Sequence, residues 1–250
     1  MKKVTLFLFA VSLLLASVLA WNTPGADFSG VLKLEGMVSS ARNPWGWEVG
    51  QGNENLDVEP QIRRGGVTVA MPTITILRGK TILTTPAGRE GLSPRVSYGK
   101  GEEGFSLVWT DVGIADVTLP VNGDNNVHAG TFSFRMRAIG VLRHVQNGQP
   151  VYASVYNDMN ANGLPGENGV SCDDNVCYLK KMFRGEGPSW LNILYELSAS
   201  VGLSHFSDTT LRQVEGVYGA QTLAGFGKLR LDGAIPERWR VSLPVSIEYQ

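Results

Sequence analysis

The last twelve residues are the strongest constraint on the fold. Trp239, Val241, Leu243, Val245, Ile247 and Tyr249 alternate without interruption with Arg240, Ser242, Pro244, Ser246, Glu248 and Gln250. A period of two is the mark of a strand with one face buried and the other in water. Pro244 has no N–H for a ladder bond, so one side of this strand is expected to lack regular central pairing.

Much of the remaining chain repeats the pattern in shorter pieces. Glycine is abundant, 30 of 250 residues, and helical periodicity is scarce. Together these predict an all-β sandwich. Val67 to Ile76 alternates around Pro72 and reads as an edge strand or a broken pair. Strands are expected at Phe105–Trp109, Ala115–Leu119, Pro150–Tyr156 and Phe226–Leu231. A long strand is expected over Thr131–Val141, with Phe132, Phe134, Met136 and Ala138 on one face. Asn122–Asn126 reads as a turn. The expected exception is a helical insertion near residues 190–215. Trp190, Ile193, Leu194 and Leu197 recur at helical spacing after Pro188-Ser189, and Gly202 ends the run. Asp208 is expected to cap a shorter helix over Thr209–Glu215.

The N-terminus reads as a cleavable export signal over residues 1–20. Lys2 and Lys3 precede the apolar run Val4–Leu19, and Val18-Leu19-Ala20 suits a cleavage site. The run falls short of the roughly 18 to 20 residues that a membrane span needs. Removing residues 1–20 from 250 leaves 230, enough for one large β domain. Cys172 and Cys177 are then expected to form a local disulfide in an oxidising compartment. Closing so small a loop is worth about 2 kcal/mol. A zinc site is the alternative, but no third cysteine and no histidine lies close by in sequence.

After the signal comes an irregular start, Trp21 to Gly25, and then a second alternating run. Phe28, Gly30, Leu32 and Leu34 fall on one face, and Ser29, Val31, Lys33 and Glu35 on the other. Here the chain resembles the subunits of chaperone–usher fimbriae, most nearly the minor subunits of the Fae-type fimbriae of enterotoxigenic Escherichia coli. The resemblance is carried by Trp21-Asn-Thr-Pro-Gly25 with Phe28-Ser-Gly-Val31, by Trp45-Gly-Trp-Glu-Val-Gly50 and by the terminal Trp239–Tyr249 run. Two features depart from it: the Cys172 and Cys177 pair, and Glu237 where many such subunits carry glycine.

The resemblance implies an incomplete immunoglobulin-like sandwich, residues 39–250, completed by donor-strand complementation. It implies a donor extension over residues 21–38, with Phe28, Gly30, Leu32 and Leu34 entering a neighbour. Trp239, Val241, Leu243, Val245, Ile247 and Tyr249 would line the acceptor groove and meet a chaperone. The implied partners are a periplasmic chaperone, an outer-membrane usher, neighbouring subunits and, as an alternative function, a host glycan held by exposed aromatics such as Trp45, Trp47 or Trp109. The physical need is independent of the family, because an unpaired edge beside a long apolar face invites aggregation until another strand covers it.

Other chemistry is weakly marked. The formal net charge of −1 falls to −3 without Lys2 and Lys3, and scattered Lys and Arg give no patch for nucleic acid. Asp158-Met-Asn160-Ala-Asn162-Gly163 opens like a calcium loop, but position twelve is Gly169, so a polar turn is the stronger reading. His128, His144 and His205 accompany no nucleophile elbow. No cofactor is expected, and the chain reads as a structural protein.

Overall fold

A computed structural model describes residues 43–53, 55–58, 66–170, 175–232 and 235–250. All of them belong to the compact unit Ala41–Gln250. The export signal, Phe28, Gly30, Leu32, Leu34 and Cys172 lie outside the described residues.

The architecture is all-β. The strands are β1 (Trp45–Val49), β2 (Val67–Met71), β3 (Thr75–Thr81), β4 (Thr85–Ala87), β5 (Pro94–Tyr98), β6 (Ser106–Asp111), β7 (Ile114–Asn122), β8 (His128–Gln146), β9 (Gln149–Tyr156), β10 (Ala199–Gly202), β11 (Arg212–Thr222), β12 (Gly225–Leu231) and β13 (Val245–Tyr249). The helices are α1 (Asn175–Phe183) and a single-turn α2 (Ser189–Ile193). No helix among the described residues is long and apolar enough to cross a membrane.

β8 organises the larger sheet. Its first half lies between β7 and β12, and its second half between β9 and β11. β11 continues the sheet through β3 to β1, and β12 continues it to β2. The faces of β8 explain its composition. Phe132, Phe134, Met136, Ala138 and Leu142 enter the main core. Ile139 and Val141 face the opposite way, where Leu179, Met182, Phe183, Trp190 and Leu191 of the helices cover them. A strand buried on both faces reads as a continuous apolar run. A second, two-stranded sheet of β5 and β13 packs on the main core.

The core holds one buried polar chain. The hydroxyls of Tyr98 on β5 and Tyr218 on β11 lie 2.8 Å apart, and Tyr218 donates onward to the Gly163 carbonyl. Burial pushes both phenols far above their ordinary pKa, so both remain protonated donors. Tyr218→Phe strands the carbonyl and the Tyr98 hydroxyl, and is expected to cost about 1–3 kcal/mol. Chemical denaturation of wild type and variant measures it, and equal midpoints would refute the linkage.

Several sequence expectations need correction. The helix expected over Trp190–Val201 is a single turn followed by extended chain, and Ala199–Gly202 is the strand β10. It pairs in parallel with Ala153–Tyr156 of β9, and Ser198 N–H donates to the Tyr152 carbonyl at 2.9 Å. The exposed edge of β9 thus takes main-chain bonds that a helix would have kept internal. Leu194 and Leu197 are still buried against the helices. Thr209–Glu215 is not a helix either. Asp208 accepts from Thr210 N–H and Oγ1, at 2.8 and 2.7 Å, in a turn that leads into β11. β11 was concealed by its glycines: a Cβ at Gly216 would strike Trp45 and Phe206, and one at Gly219 would strike Met182. Within the region expected only α2 and a 3-10 turn at Leu203–Ser207 form, and the longer helix, α1, lies upstream of it.

Candidate functional site

Among the described residues, the C-terminal run is paired along one side and unpaired along the other. β13 pairs antiparallel with β5, from Val245 opposite Tyr98 to Tyr249 opposite Pro94. Gln250 and Ser93 exchange both main-chain bonds at 3.2 Å, and Gly99 N–H donates to the Pro244 carbonyl at 2.9 Å. Antiparallel pairs alternate in bonding, so Pro244, Ser246, Glu248 and Gln250 face β5. Upstream, Arg240 exchanges both bonds with Asn122, at 2.8 and 2.9 Å. The even-numbered residues therefore supply the bonded edge. Among the described residues no strand pairs with the opposite edge of β13, where the main-chain groups of Val245, Ile247 and Tyr249 point. Pro244 acts at the bonded edge: its missing N–H ends the ladder with β5.

The outer edge of β5 is closed, in contrast. Asn162 Oδ1 accepts from Tyr98 N–H at 3.1 Å and its Nδ2 donates to the Tyr98 carbonyl at 3.3 Å. Arg95 donates to the Asn160 carbonyl at 2.9 Å. Gly163 approaches so closely that a Cβ there would lie 2.6 Å from the Val96 carbonyl. The Asp158–Asn162 loop thus serves as a cover. Asp158 accepts from Ser204 N–H at 3.0 Å and from its hydroxyl. This use of the side chains fits a polar turn, and no cluster of three metal-ligating side chains occurs among the described residues.

The side chains match the main-chain asymmetry. Trp239, Val241, Leu243, Val245, Ile247 and Tyr249 all touch the core, and all are only half-buried. Their partners deeper in the sandwich, such as Val96, Leu119 and Phe132, are at most 1% exposed. The result is an apolar wall beside an edge that no described strand pairs. Its ends are fixed: Trp239 packs on Phe132 with ring centroids 5.0 Å apart, and Trp47 Nε1 donates to the Tyr249 hydroxyl at 2.7 Å. Tyr249→Phe removes this acceptor and is expected to cost about 0.5–1.5 kcal/mol. Thermal unfolding tests this, and a midpoint equal to wild type would contradict it. On the outer face Lys100 pairs with Glu248 at 2.6 Å and holds that exposed carboxyl below its usual range.

Other candidate residues separate into those used by packing and those set apart. Trp45 stacks on Trp47 at 5.2 Å, meets Phe206 edge-on, and donates to the Leu92 carbonyl at 2.9 Å. Trp45 is therefore buried in the core and Trp47 half-buried against it, so neither is an exposed sugar platform. Trp109 is half-buried and borders a cavity of about 420 Å³ with Asp111, Glu167 and Asn168. His144 and His205 have ring centroids 6.3 Å apart. Burial lowers the His144 pKa, and His205 adds to the effect. Cys177 is exposed on α1, and its expected partner Cys172 lies outside the described residues. The sequence singled out Trp47 as a candidate aromatic, but its contact with Tyr249 joins residues 202 positions apart and had no local signal.

Among the described residues, then, an all-β protein presents an apolar wall beside an unpaired strand edge. The chain belongs to the family of fimbrial major and minor subunits, whose model matches residues 1–250. It is 68% identical, over all of both chains, to the K88 minor fimbrial subunit FaeI of Escherichia coli. The family is structural, not enzymatic.

Proposed function

We propose that this chain is a structural minor subunit of a chaperone–usher fimbria, exported through the periplasm to the cell surface and assembled there by donor-strand exchange. Residues 1–20 are the signal, 21–38 the donor extension and 39–250 the acceptor sandwich. Phe28, Gly30, Leu32 and Leu34 enter the next acceptor, and the Trp239–Tyr249 wall receives the equivalent residues of a neighbour or a strand of the chaperone. The usher directs the replacement of one by the other.

The observation that supports this reading is that, among the described residues, one edge of β13 is unpaired beside six half-buried apolar side chains. Strand addition satisfies those main-chain groups and completes the core in one step. Burying Phe28, Leu32 and Leu34 would contribute roughly 1.5–3 kcal/mol each, before ordering costs. Deleting residues 21–36 is expected to leave a subunit that folds with its chaperone and no longer joins a neighbour. Normal polymerisation of the deletion would overturn the donor assignment.

A second reading, glycan binding by the subunit itself, draws on the Trp109 cavity, where an aromatic ring adjoins carboxylates and an amide. Absence of binding to a glycan array by the strand-complemented protein would remove it.

A further inference from the structure

The C-terminal run carries an unbalanced positive end. Arg238 and Arg240 are exposed and share one face. They border a cavity of about 240 Å³ with Gly123, Asp124, Asn125 and Asn126. Neither guanidinium has a carboxylate partner among the described residues. Asp124 also lines the cavity, and its Oδ2 accepts from the Glu237 N–H at 2.9 Å. Of the residues lining this cavity, two are cations and one is a carboxylate, while Glu237 lies beside them at odd parity. Arg240 is fixed by its paired bonds to Asn122, so its charge is held at a set place along the run. At the other end Glu248 is already matched by Lys100.

A strand added to the open edge is constrained in parity. Its apolar side chains must face the core with Trp239, Val241, Leu243, Val245, Ile247 and Tyr249. Its other face then lies flush with Arg238 and Arg240, where directly opposed side chains interact. Residues 21–38 of this chain present Phe28, Gly30, Leu32 and Leu34 on the apolar face, and Glu35 on the other, just beyond the last apolar residue. Antiparallel pairing is the more stable arrangement. In that direction, one register sets Leu34, Leu32, Gly30 and Phe28 against Val241, Leu243, Val245 and Ile247 and puts Glu35 opposite Arg240. Sliding by two residues puts Glu35 opposite Arg238. Sliding two the other way puts Glu35 opposite Ser242, where the pairing is lost.

We propose that Arg238 and Arg240 clamp Glu35 of a second copy's N-terminal arm, and thereby set the register in which that arm adds to the C-terminal strand. This rests on the donor-strand reading above and adds to it a determinant of alignment outside the apolar groove.

The test uses the full-length chain refolded with a fluorescent synthetic peptide of residues 21–38, with retention followed by size-exclusion chromatography and affinity by competition. Glu35→Lys in the peptide is expected to weaken binding roughly three- to tenfold at low salt, as for exposed charge pairs that become repulsive. The difference should shrink in about 1 M salt. Asp27→Lys should not weaken binding, because in this register Asp27 lies opposite Glu248, which Lys100 already pairs. Arg238→Glu with Arg240→Glu should weaken the wild-type peptide and recover the Glu35→Lys peptide. Unchanged binding of the Glu35→Lys peptide, failure of the charge exchange to restore it, or a larger effect at Asp27 would overturn the clamp. If the wild-type peptide is not retained at all, the donor-strand reading itself fails and the clamp with it.

Discussion

Val245→Asp is expected to reduce the yield of folded protein severely and to remove acceptance of a donor strand. Val245 sits opposite Tyr98 in the β5–β13 ladder, with its side chain on the core and its main-chain groups on the open edge. A carboxylate there must either remain partly desolvated without a partner or draw the strand away from the core. The first costs several kcal/mol for a buried charge, and about 2–4 kcal/mol is reasonable at a half-buried position. The second breaks the β5 ladder and the Trp47–Tyr249 contact. Tyr249→Asp should act similarly, since it also removes the phenol that Trp47 holds. Ser242→Asp, on the exposed face of the same run, is the control and should change stability by no more than about 0.5 kcal/mol. Soluble yield and thermal unfolding distinguish the positions. Equal yields for Val245→Asp and Ser242→Asp would refute the acceptor role of the odd-numbered face.

Gly79→Ala is expected to be as damaging as many core truncations, although it adds one methyl. Gly79 lies in β3 opposite Trp47 of β1, and a Cβ there would lie 2.3 Å from the Trp47 ring. The ring has little room to retreat. It is stacked on Trp45 at 5.2 Å, lies 5.7 Å from Tyr218, and is held by its bond to Tyr249. Overpacking of this kind costs about 1–3 kcal/mol. Its displacement also releases the far end of β13, so the acceptor edge should loosen with it. Trp47→Ala alone should cost about 3–5 kcal/mol. The two effects share one contact, so Gly79→Ala added to Trp47→Ala should be nearly neutral. Full additivity in denaturant unfolding would show that the close approach of Trp47 to Gly79 is not the cause.

Much of the strand content was readable from the residues because alternation is local. β7, β9 and β12 appear near the expected ranges, and β8 extends its expected range at both ends. The break at Pro72 divides β2 from β3, as a residue without an N–H should. The misreadings share a cause. Trp190 to Leu197 has apolar spacing that suits one helical turn, or a turn followed by extended chain against a helical layer. Only the exposed edge of β9 decides between them. β11 carries Gly216 and Gly219 because large side chains from elsewhere lie on it, and those neighbours are remote in sequence. β5 is five residues long, too short for its period to stand out.

The same division holds for the candidate site. By itself the sequence determined which side chains of Trp239–Tyr249 turn inward, because a pleated backbone sends successive side chains to opposite faces. It also led, through Pro244, to the expectation that one side of this strand lacks regular pairing, although the proline itself lies on the bonded edge. Tertiary structure alone decided which edge is bonded and which is left unpaired among the described residues. That depends on β5 and Asn122, which lie more than a hundred residues upstream of their partners. It decided that Trp47 is the latch on Tyr249 across 202 positions and not a sugar platform. It also placed Arg238 and Arg240 on one cavity at one end of that edge. Side-chain phase is a property of the local backbone, whereas pairing is settled by residues that meet only when the chain has closed on itself.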